Sequence, residues 1–406
     1  MTLKDELEVL RGEPIEVFDG DPMDIPCIET SDVERLCRNP VVSVCMITYN
    51  HEPYIRQAIE GVMMQKTGFE FELVIGEDAS QDKTREICFE YQKKYPDKIR
   101  VLWWHENVSK FGGNGRRTRA RCRGEFIALC EGDDYWIDPL KLQKQVDVMR
   151  KYPNVGICFC GSKIYHGARD EWEIWNKDKD SFKPGIIASR EYMLGSMFGL
   201  KPARRFGYEW FQMTATFLVR RDKLNEAMRL YDLFKWKIRV GDGVFSMGVG
   251  SVSDAYYLED IVSVYRRLPT GLSTRDGDAG LVDTLVIRLY YLVKVFGLGT
   301  YDAPDRVRRI FVRAASSHKA YQCGRLMVLP YIWHLLRHRS SYKFIRRSLL
   351  CALSNCVPLS FVRRVICGLV FRYERYVRPL GMPLDMQKAY VEFVTGNWSE
   401  VIHDRD

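Results

Sequence analysis

Glu131, Asp133 and Asp134 place three carboxylates within four positions. They follow Glu125-Phe126-Ile127-Ala128-Leu129-Cys130, a run apolar enough to be a strand buried on both faces, as a parallel sheet requires. A carboxylate at the end of a buried strand must be hydrated, paired or neutralised. Three so close repel one another unless a cation or a hydrogen-bond cage holds them. A solvated acidic turn accommodates the same residues, but a D/E-x-D directly after a buried strand also suits a divalent metal that holds a diphosphate. Asp138-Pro139 then supplies an N-cap and a first-turn proline, and Leu142, Val146 and Met149 follow at helical spacing. Strand, acidic loop and helix put the carboxylates where open α/β sheets bind ligands.

Other acids stand at comparable places. Glu77 and Asp78 follow the apolar run Phe71–Gly76, and a carboxylate there can accept from the N–H and O–H groups of a base or ribose. A second cap on the helix that Ser80 or Asp82 begins is the plainer use of Asp78. Asp242 follows Gly241 and opens a short helix, Val244 to Val249, either as its N-cap or as a group facing the acidic loop. Val41 to Thr48 reads as the first buried strand, and the loop after it, Tyr49-Asn50-His51-Glu52-Pro53, contains no glycine. That excludes both the dinucleotide G-x-G-x-x-G turn and a P-loop. Further strands are expected at Ile99–Trp103, Val155–Gly161, Phe211–Arg221 and Tyr256–Arg267. Arg116, Arg117, Arg119, Arg121 and Arg123 offer guanidinium groups that match phosphate geometry. Most of the five must be a solvated helix face, and the spacing does not choose among them.

The chain has 406 residues, 46% hydrophobic and 28% charged, which is enough to bury a core and excludes wholesale disorder. Its twelve cysteines lie mostly in apolar runs without a C-x-x-C, as expected of reduced, buried thiols. The first residues are charged, unlike a signal peptide, and no uncharged run reaches the length of a membrane span. A cytoplasmic protein is the expectation. Residues 1–40 are acid-rich and broken by prolines, and are read as an arm over the domain. The net charge of +8 is concentrated late: residues 306–378 hold sixteen Lys or Arg and one acid, Glu374. Apolar stretches between those basic residues suit a helical subdomain, basic helices on an anionic membrane, or both. No nucleic-acid module accompanies them, so nucleic acid is not an expected partner.

The stretch from Gly124 to Gln145 closely resembles the acidic metal-binding loop of family 2 glycosyltransferases, particularly the bacterial surface-polysaccharide branch. There Leu-Glu-Gly-Asp-Asp-Tyr-Trp is followed by Asp-Pro and a Lys-Leu-Gln-Lys-Gln helix. Val42-Ser43-Val44 with Thr48-Tyr49-Asn50 is similar to the family's opening signature, and Glu77 to Asp82 to its Asp-Asp-Gly-Ser-Thr-Asp segment. The closing half is matched by a strand, a Gly-Asp opening a helix, and a strand ending in Tyr265-Arg266; Leu268 stands where many relatives carry the histidine of Tyr-Arg-x-His.

The resemblance implies a GT-A fold over 41–275, a doubly wound, mainly parallel α/β sheet with a Rossmann-like nucleotide-binding half. A basic, mainly helical region would follow at 276–406. It implies an inverting glycosyltransferase with a nucleotide-sugar donor, UDP-linked, and a lipid-linked or growing surface glycan as acceptor. Thr48, Tyr49, Asn50, Glu77 and Asp78 would line the nucleotide, with Asp78 on uracil. Glu131, Asp133 and Asp134 would form the diphosphate loop, Asp133 and Glu131 holding Mn²⁺ or Mg²⁺, and Asp242 would be the catalytic base, ahead of Asp254 and Glu209. A sugar nucleotidyltransferase is the rival enzyme, but the loop from Tyr49 to Pro53 lacks the glycine-rich segment it usually needs. A non-catalytic, glycan- or partner-binding descendant would not need Asp78, Glu131, Asp133 and Asp242 together. The Gln-x-x-Arg-Trp motif of processive relatives is absent.

Overall fold

The computed structural model describes residues 3–11, 14–18, 20–21, 24, 26–109, 113–174, 184–198, 212–269, 271 and 277–296. The apolar runs read above become the centre of one sheet. β2 (Val42–Thr48), β3 (Phe71–Glu77), β4 (Ile99–Trp103) and β5 (Phe126–Leu129) are parallel neighbours in the order β4-β3-β2-β5. Nearly every residue in them is buried, so both faces must be covered. One face is covered by α2 (Ile55–Met63), α3 (Thr84–Lys94) and α5 (Lys141–Lys151). Ile59, Cys88, Val146 and Met149 from these helices pack with Val44, Met46 and Ile75. The other face meets α8 (Gly241–Val252) and α9 (Gly277–Phe296), where Phe245 and Ile287 join Val74, Ile127 and Leu129.

The chain runs outward from β2 to β4 and then returns to the opposite side of β2 as β5. The loops after β2 and β5 therefore lie side by side at a topological switch point, the crevice that such sheets use for ligands.

Beyond β5 the sheet continues through β10 (Leu218–Arg220), β7 (Val155–His166), β11 (Asp254–Arg267) and β6 (Tyr135–Trp136). β10 is antiparallel to both neighbours, while β7 and β11 run parallel. β8 (Glu171–Ile174) extends β7 as a hairpin, and β9 (Gly185–Ile187) pairs with β11.

Three expectations about elements change. Of the expected strand over 211–221, only Leu218–Arg220 is strand, and Thr214–Thr216 is a 3₁₀ turn. The hydroxyl of Thr216 donates back to the Met213 carbonyl at 2.8 Å, and Trp136 Nε1 donates to the Ala215 carbonyl at 2.8 Å. Those two bonds draw the backbone out of the ladder. The helix read over 244–249 runs the full length of α8, and the strand read over 155–161 continues to His166 because β8 pairs with its outer end.

The first forty residues contribute to the core. In α1 (Leu3–Arg11) Leu7 is buried, as is Ile15, and β1 (Ile28–Thr30) adds an antiparallel edge to β4. The helix α9 joins the same core, with the Tyr291 hydroxyl donating to the Val244 carbonyl at 3.2 Å and the Arg239 N–H to Asp283 Oδ2 at 2.7 Å. The basic region over 306–378 lies outside the described residues. Among the described residues no helix is long and apolar enough to cross a membrane.

At the end of the sheet remote from the crevice, Glu72 is fully buried among cations. Its Oε2 lies 2.6 Å from Arg123 Nη2 and 3.2 Å from Arg100 Nη1, and its Oε1 accepts from the Ser43 hydroxyl at 2.6 Å. Burial works to raise this carboxyl, but the bonds from Arg123 and Ser43 and the charge of Arg100 outweigh it and hold the group below the usual carboxylate range.

Candidate active site

The loops after β2 and β3 are fastened to each other by side-chain to backbone bonds. Asn50 takes a left-handed backbone at φ 54°, its N–H donating to Ser80 Oγ at 3.0 Å while its Oδ1 accepts from Gln81 N at 2.8 Å. His51 N donates to Thr84 Oγ1 at 2.8 Å and Glu52 N to Asp82 Oδ2 at 3.0 Å. Asn50 thus holds the loop with its own side chain. Both oxygens of Glu77 are also engaged within the protein, one by Arg85 Nε at 2.5 Å and the other by the Ser80 N–H at 2.7 Å.

Asp78 is buried beside them, and it is not the helix cap: Asp82 Oδ1 receives the Thr84 N–H at 3.0 Å. Instead Asp78 Oδ1 accepts from Val108 N at 2.6 Å and Oδ2 from the Ser109 hydroxyl, so it anchors the segment after β4. Burial raises its carboxyl above the usual range, partly offset by those bonds. Thr48 is buried, and Tyr49, 40% exposed, stands at the mouth of the crevice.

The acidic loop packs directly on the β2 loop. Gly132 N donates to the Ile47 carbonyl at 2.9 Å. A Cβ at Gly132 would sit 2.6 Å from Thr48 Oγ1 and 2.9 Å from His51 Nδ1, so only glycine allows this approach. Thr48 Oγ1 and His51 Nδ1 are 3.2 Å apart, and the other imidazole nitrogen, Nε2, lies 3.9 Å from Asp133 Oδ2. Burial lowers the imidazole pKa, and the Asp133 charge opposes that shift.

The three carboxylates of the loop have different surroundings. Asp134 is buried and turned towards β11, where its Oδ1 accepts the Arg266 N–H at 2.8 Å. The Arg266 guanidinium donates to the Asp133 carbonyl at 2.5 Å and lies over the rings of Tyr54 and Tyr135 at 5.1 and 4.4 Å. Asp134 therefore fixes the loop rather than facing the crevice. Glu131 Oε2 is buried without a hydrogen-bond partner. Burial first, then the charge of Asp133 and the field of Asp242, raise its carboxyl to about 8.

Asp242, at the start of α8, is thus close enough to the acidic loop to act on it although it lies far along the chain. Burial raises its carboxyl to about 6, partly offset by hydrogen bonding from backbone N–H groups, and its Oδ1 accepts the adjacent Gly243 N–H at 2.8 Å. Of the other acids considered for a base, Asp254 accepts the Ser189 N–H at 2.9 Å at the opposite end of β11 from Arg266, and Glu209 lies outside the described residues.

The structure also sorts the five arginines. Arg117 donates to the Val108 carbonyl at 3.1 Å, Arg121 to the Arg117 carbonyl at 3.4 Å, and Arg123 to Glu72. Arg116 lies over the Phe18 ring at 5.3 Å. Arg119 is the one directed to the site: its guanidinium lies 5.2 Å over the ring of Phe245 on α8, within the field of Glu131. Burial lowers its pKa. His51 was not expected at the site, since nothing in the spacing links position 51 to position 133. Leu268, in the place of the relatives' histidine, is buried. On the β7–β8 hairpin Trp172 is 57% exposed and packs at 4.9 Å on Tyr165.

The donor set fits a divalent cation. Glu131 has a buried oxygen without a partner, and an Asp carboxylate two residues on adds to the negative potential. Among the described residues no three His, Cys, Asp or Glu groups converge into a complete cage. One or two carboxylates completed by substrate phosphates is how magnesium-type ions are usually bound.

A mainly parallel sheet with an acidic loop at its switch point and an acid-bearing helix beside that loop is the GT-A type of α/β fold. TarS of S. aureus (residues 1–349, in complex with UDP-GlcNAc) has the same fold with a TM-score of 0.50 at 16% identity, over 83% of this chain and 93% of that one. Residues 43–227 match the model of glycosyl transferase family 2. An uncharacterized protein of Mycobacterium tuberculosis is 41% identical over 131 residues, 32% of this chain and 38% of the relative. The putative teichuronic acid biosynthesis glycosyltransferase TuaG of Bacillus subtilis is 34% identical over 112 residues, 27% of this chain and 42% of the relative. The chain thus spans less than half the length of these curated relatives.

Proposed function

We propose that the chain transfers a sugar, with inversion, from a UDP-linked donor to a hydroxyl of a surface glycan or its lipid-linked precursor. The carrying observation is that α8, with Asp242 in its first turn, packs through Phe245 in the same core as Leu129 at the end of β5, bringing a second acid from a distant part of the chain to the side of the acidic loop. Inversion requires an acceptor hydroxyl on the face of the sugar opposite the diphosphate, and a group to take its proton as the new bond forms. Asp242, held by burial near pKa 6, is ionised at neutral pH and can be that group.

Asp133 and Glu131 would hold Mn²⁺ or Mg²⁺ together with the donor diphosphate, and the bound cation would offset charge building on the leaving group. Arg119 adds a fixed positive charge beside the same space. Tyr49 would face the nucleoside, while Thr48, Asn50, Glu77, Asp78 and Asp134 hold the loops in place. The curated relative named for teichuronic acid biosynthesis supports a polysaccharide acceptor, and the solved structure with UDP-GlcNAc supports a UDP-linked donor.

The test is Mn²⁺-dependent UDP binding by calorimetry, with wild type and Asp133→Ala. The variant should remain folded and lose the metal-dependent part of the affinity. An unchanged Mn²⁺ dependence would remove Asp133 from the metal site.

We further propose that residues 306–378 bring the enzyme to the inner face of the cell membrane, where a lipid-linked acceptor would be found. Their charge excess is sixteen basic residues against one acid, and each basic residue near an anionic surface contributes about 1 kcal/mol, weakened by salt. In liposome flotation the chain should rise with anionic vesicles at low salt and stay down with neutral ones. Equal behaviour with both would leave that region only a packing role.

A further inference from the structure

We infer that His51 is a direct ligand of the divalent cation, sharing it with Asp133. This inference rests on the metal-dependent transferase reading given above. The imidazole is placed by two fixed groups. Its Nδ1 lies 3.2 Å from the Thr48 hydroxyl, and the His51 backbone N–H is tied to Thr84 Oγ1 at 2.8 Å. That leaves Nε2 directed to the acidic loop, 3.9 Å from Asp133 Oδ2. The separation is too long for an N–H···O bond. It suits two ligands of one ion, because donors each about 2.1 Å from a shared cation stand roughly 3.0 to 4.2 Å apart.

The arrangement around Nδ1 is also what a ligating histidine needs. Such a ring usually engages its other nitrogen with an oxygen, which fixes the orientation of the ligating nitrogen. Thr48 is suited to that part, since it is buried and packed against Gly132 of the acidic loop. Glu131 Oε2 on the same loop is buried without a hydrogen-bond partner. Leu268 supplies no donor from the end of β11. A nitrogen ligand from the β2 loop would join the metal to the nucleotide side of the crevice.

Electron spin-echo spectroscopy of Mn²⁺ bound to the 406-residue chain with UDP tests this, since a directly coordinated imidazole nitrogen modulates the manganese signal. Wild type should show nitrogen coupling. His51→Gln keeps a polar side chain beside Thr48; it should lose the coupling and bind Mn²⁺ at least about tenfold more weakly. Circular dichroism and the binding of uridine alone report whether that variant is folded. Mn²⁺ bound with UDP but without nitrogen coupling, or coupling that survives in His51→Gln, overturns the ligand assignment and leaves the transferase reading intact. Failure of wild type to bind Mn²⁺ in the presence of UDP overturns both.

Discussion

Asp242→Asn should bind UDP as wild type does and lose sugar transfer by at least about a hundredfold, the lower end for removal of a general base. Metal-dependent hydrolysis of a UDP-sugar, with water in place of the acceptor, measures it without knowledge of the acceptor. Asparagine keeps the shape of the side chain and can still accept the Gly243 N–H, so a residue that merely shaped the start of α8 would tolerate the change. The pH profile gives an independent readout. A base works only when ionised, so the wild-type rate should rise with pH through about 6, the value to which burial raises this carboxyl. Below that pH the proton already occupies the accepting oxygen. In Asp242→Asn the rising limb should be gone. Near-normal turnover, or an unchanged acid limb, would end the assignment of Asp242 as base.

A second large effect is expected far from the chemistry. Glu72→Ala should destabilise the fold by about 3 kcal/mol, the lower end for breaking a buried ion pair by removing one partner. The lower end applies because Arg100 keeps its bidentate contact with Glu29, at 2.8 and 2.9 Å, and the Arg123 side chain is partly exposed. Urea unfolding should show a lower midpoint with an unchanged slope. The sign of the pH dependence follows from a folded-state pKa below the unfolded one. The contribution is fully present above about pH 4.3, the unfolded value, and is lost as pH falls through the lower folded value. The gap between wild type and variant should therefore shrink in acid. A constant gap would mean that volume and packing, not charge, explain the loss.

Much of this site could be read from residue order, because its scaffold is made of strands that announce themselves. β2 and β5 are almost wholly apolar and buried on both faces, as central parallel strands need to be. The acidic loop was readable for the same reason, since it begins where β5 ends. What the order of residues did not contain was which way each acid turns. Asp134 faces away from the crevice because its partner, Arg266, arrives 132 residues later. Glu77 is neutralised by Arg85, which a reading focused on ligands passes over. Arg119 could not be told from its four neighbours until Phe245 was seen beneath it. The strand expected at 211–221 failed because Trp136, in another part of the chain, holds the Ala215 carbonyl. Leu7 and Ile15 looked like parts of a polar arm, yet both are buried in the core that also contains α9 residues.

The strand β10 also has a consequence for how the molecule is made. It is three residues long, and it lies between β5 and β7 as the ladder joining the two sides of the sheet. Leu218 pairs with Ala128 on one flank and Cys158 on the other, both long since synthesised when it emerges. A growing chain that has produced β2 to β5 therefore carries an open edge on β5, the strand that leads into the acidic loop. Such an edge invites pairing with another chain until it is filled. The 3₁₀ turn just before β10 packs against β5, so the insertion that closes the sheet also completes the surroundings of the acidic loop. Maturation of the crevice is in this way tied to a late, non-local step in folding, and a nascent chain stopped short of residue 218 would hold the nucleotide side with its most acidic loop unfinished.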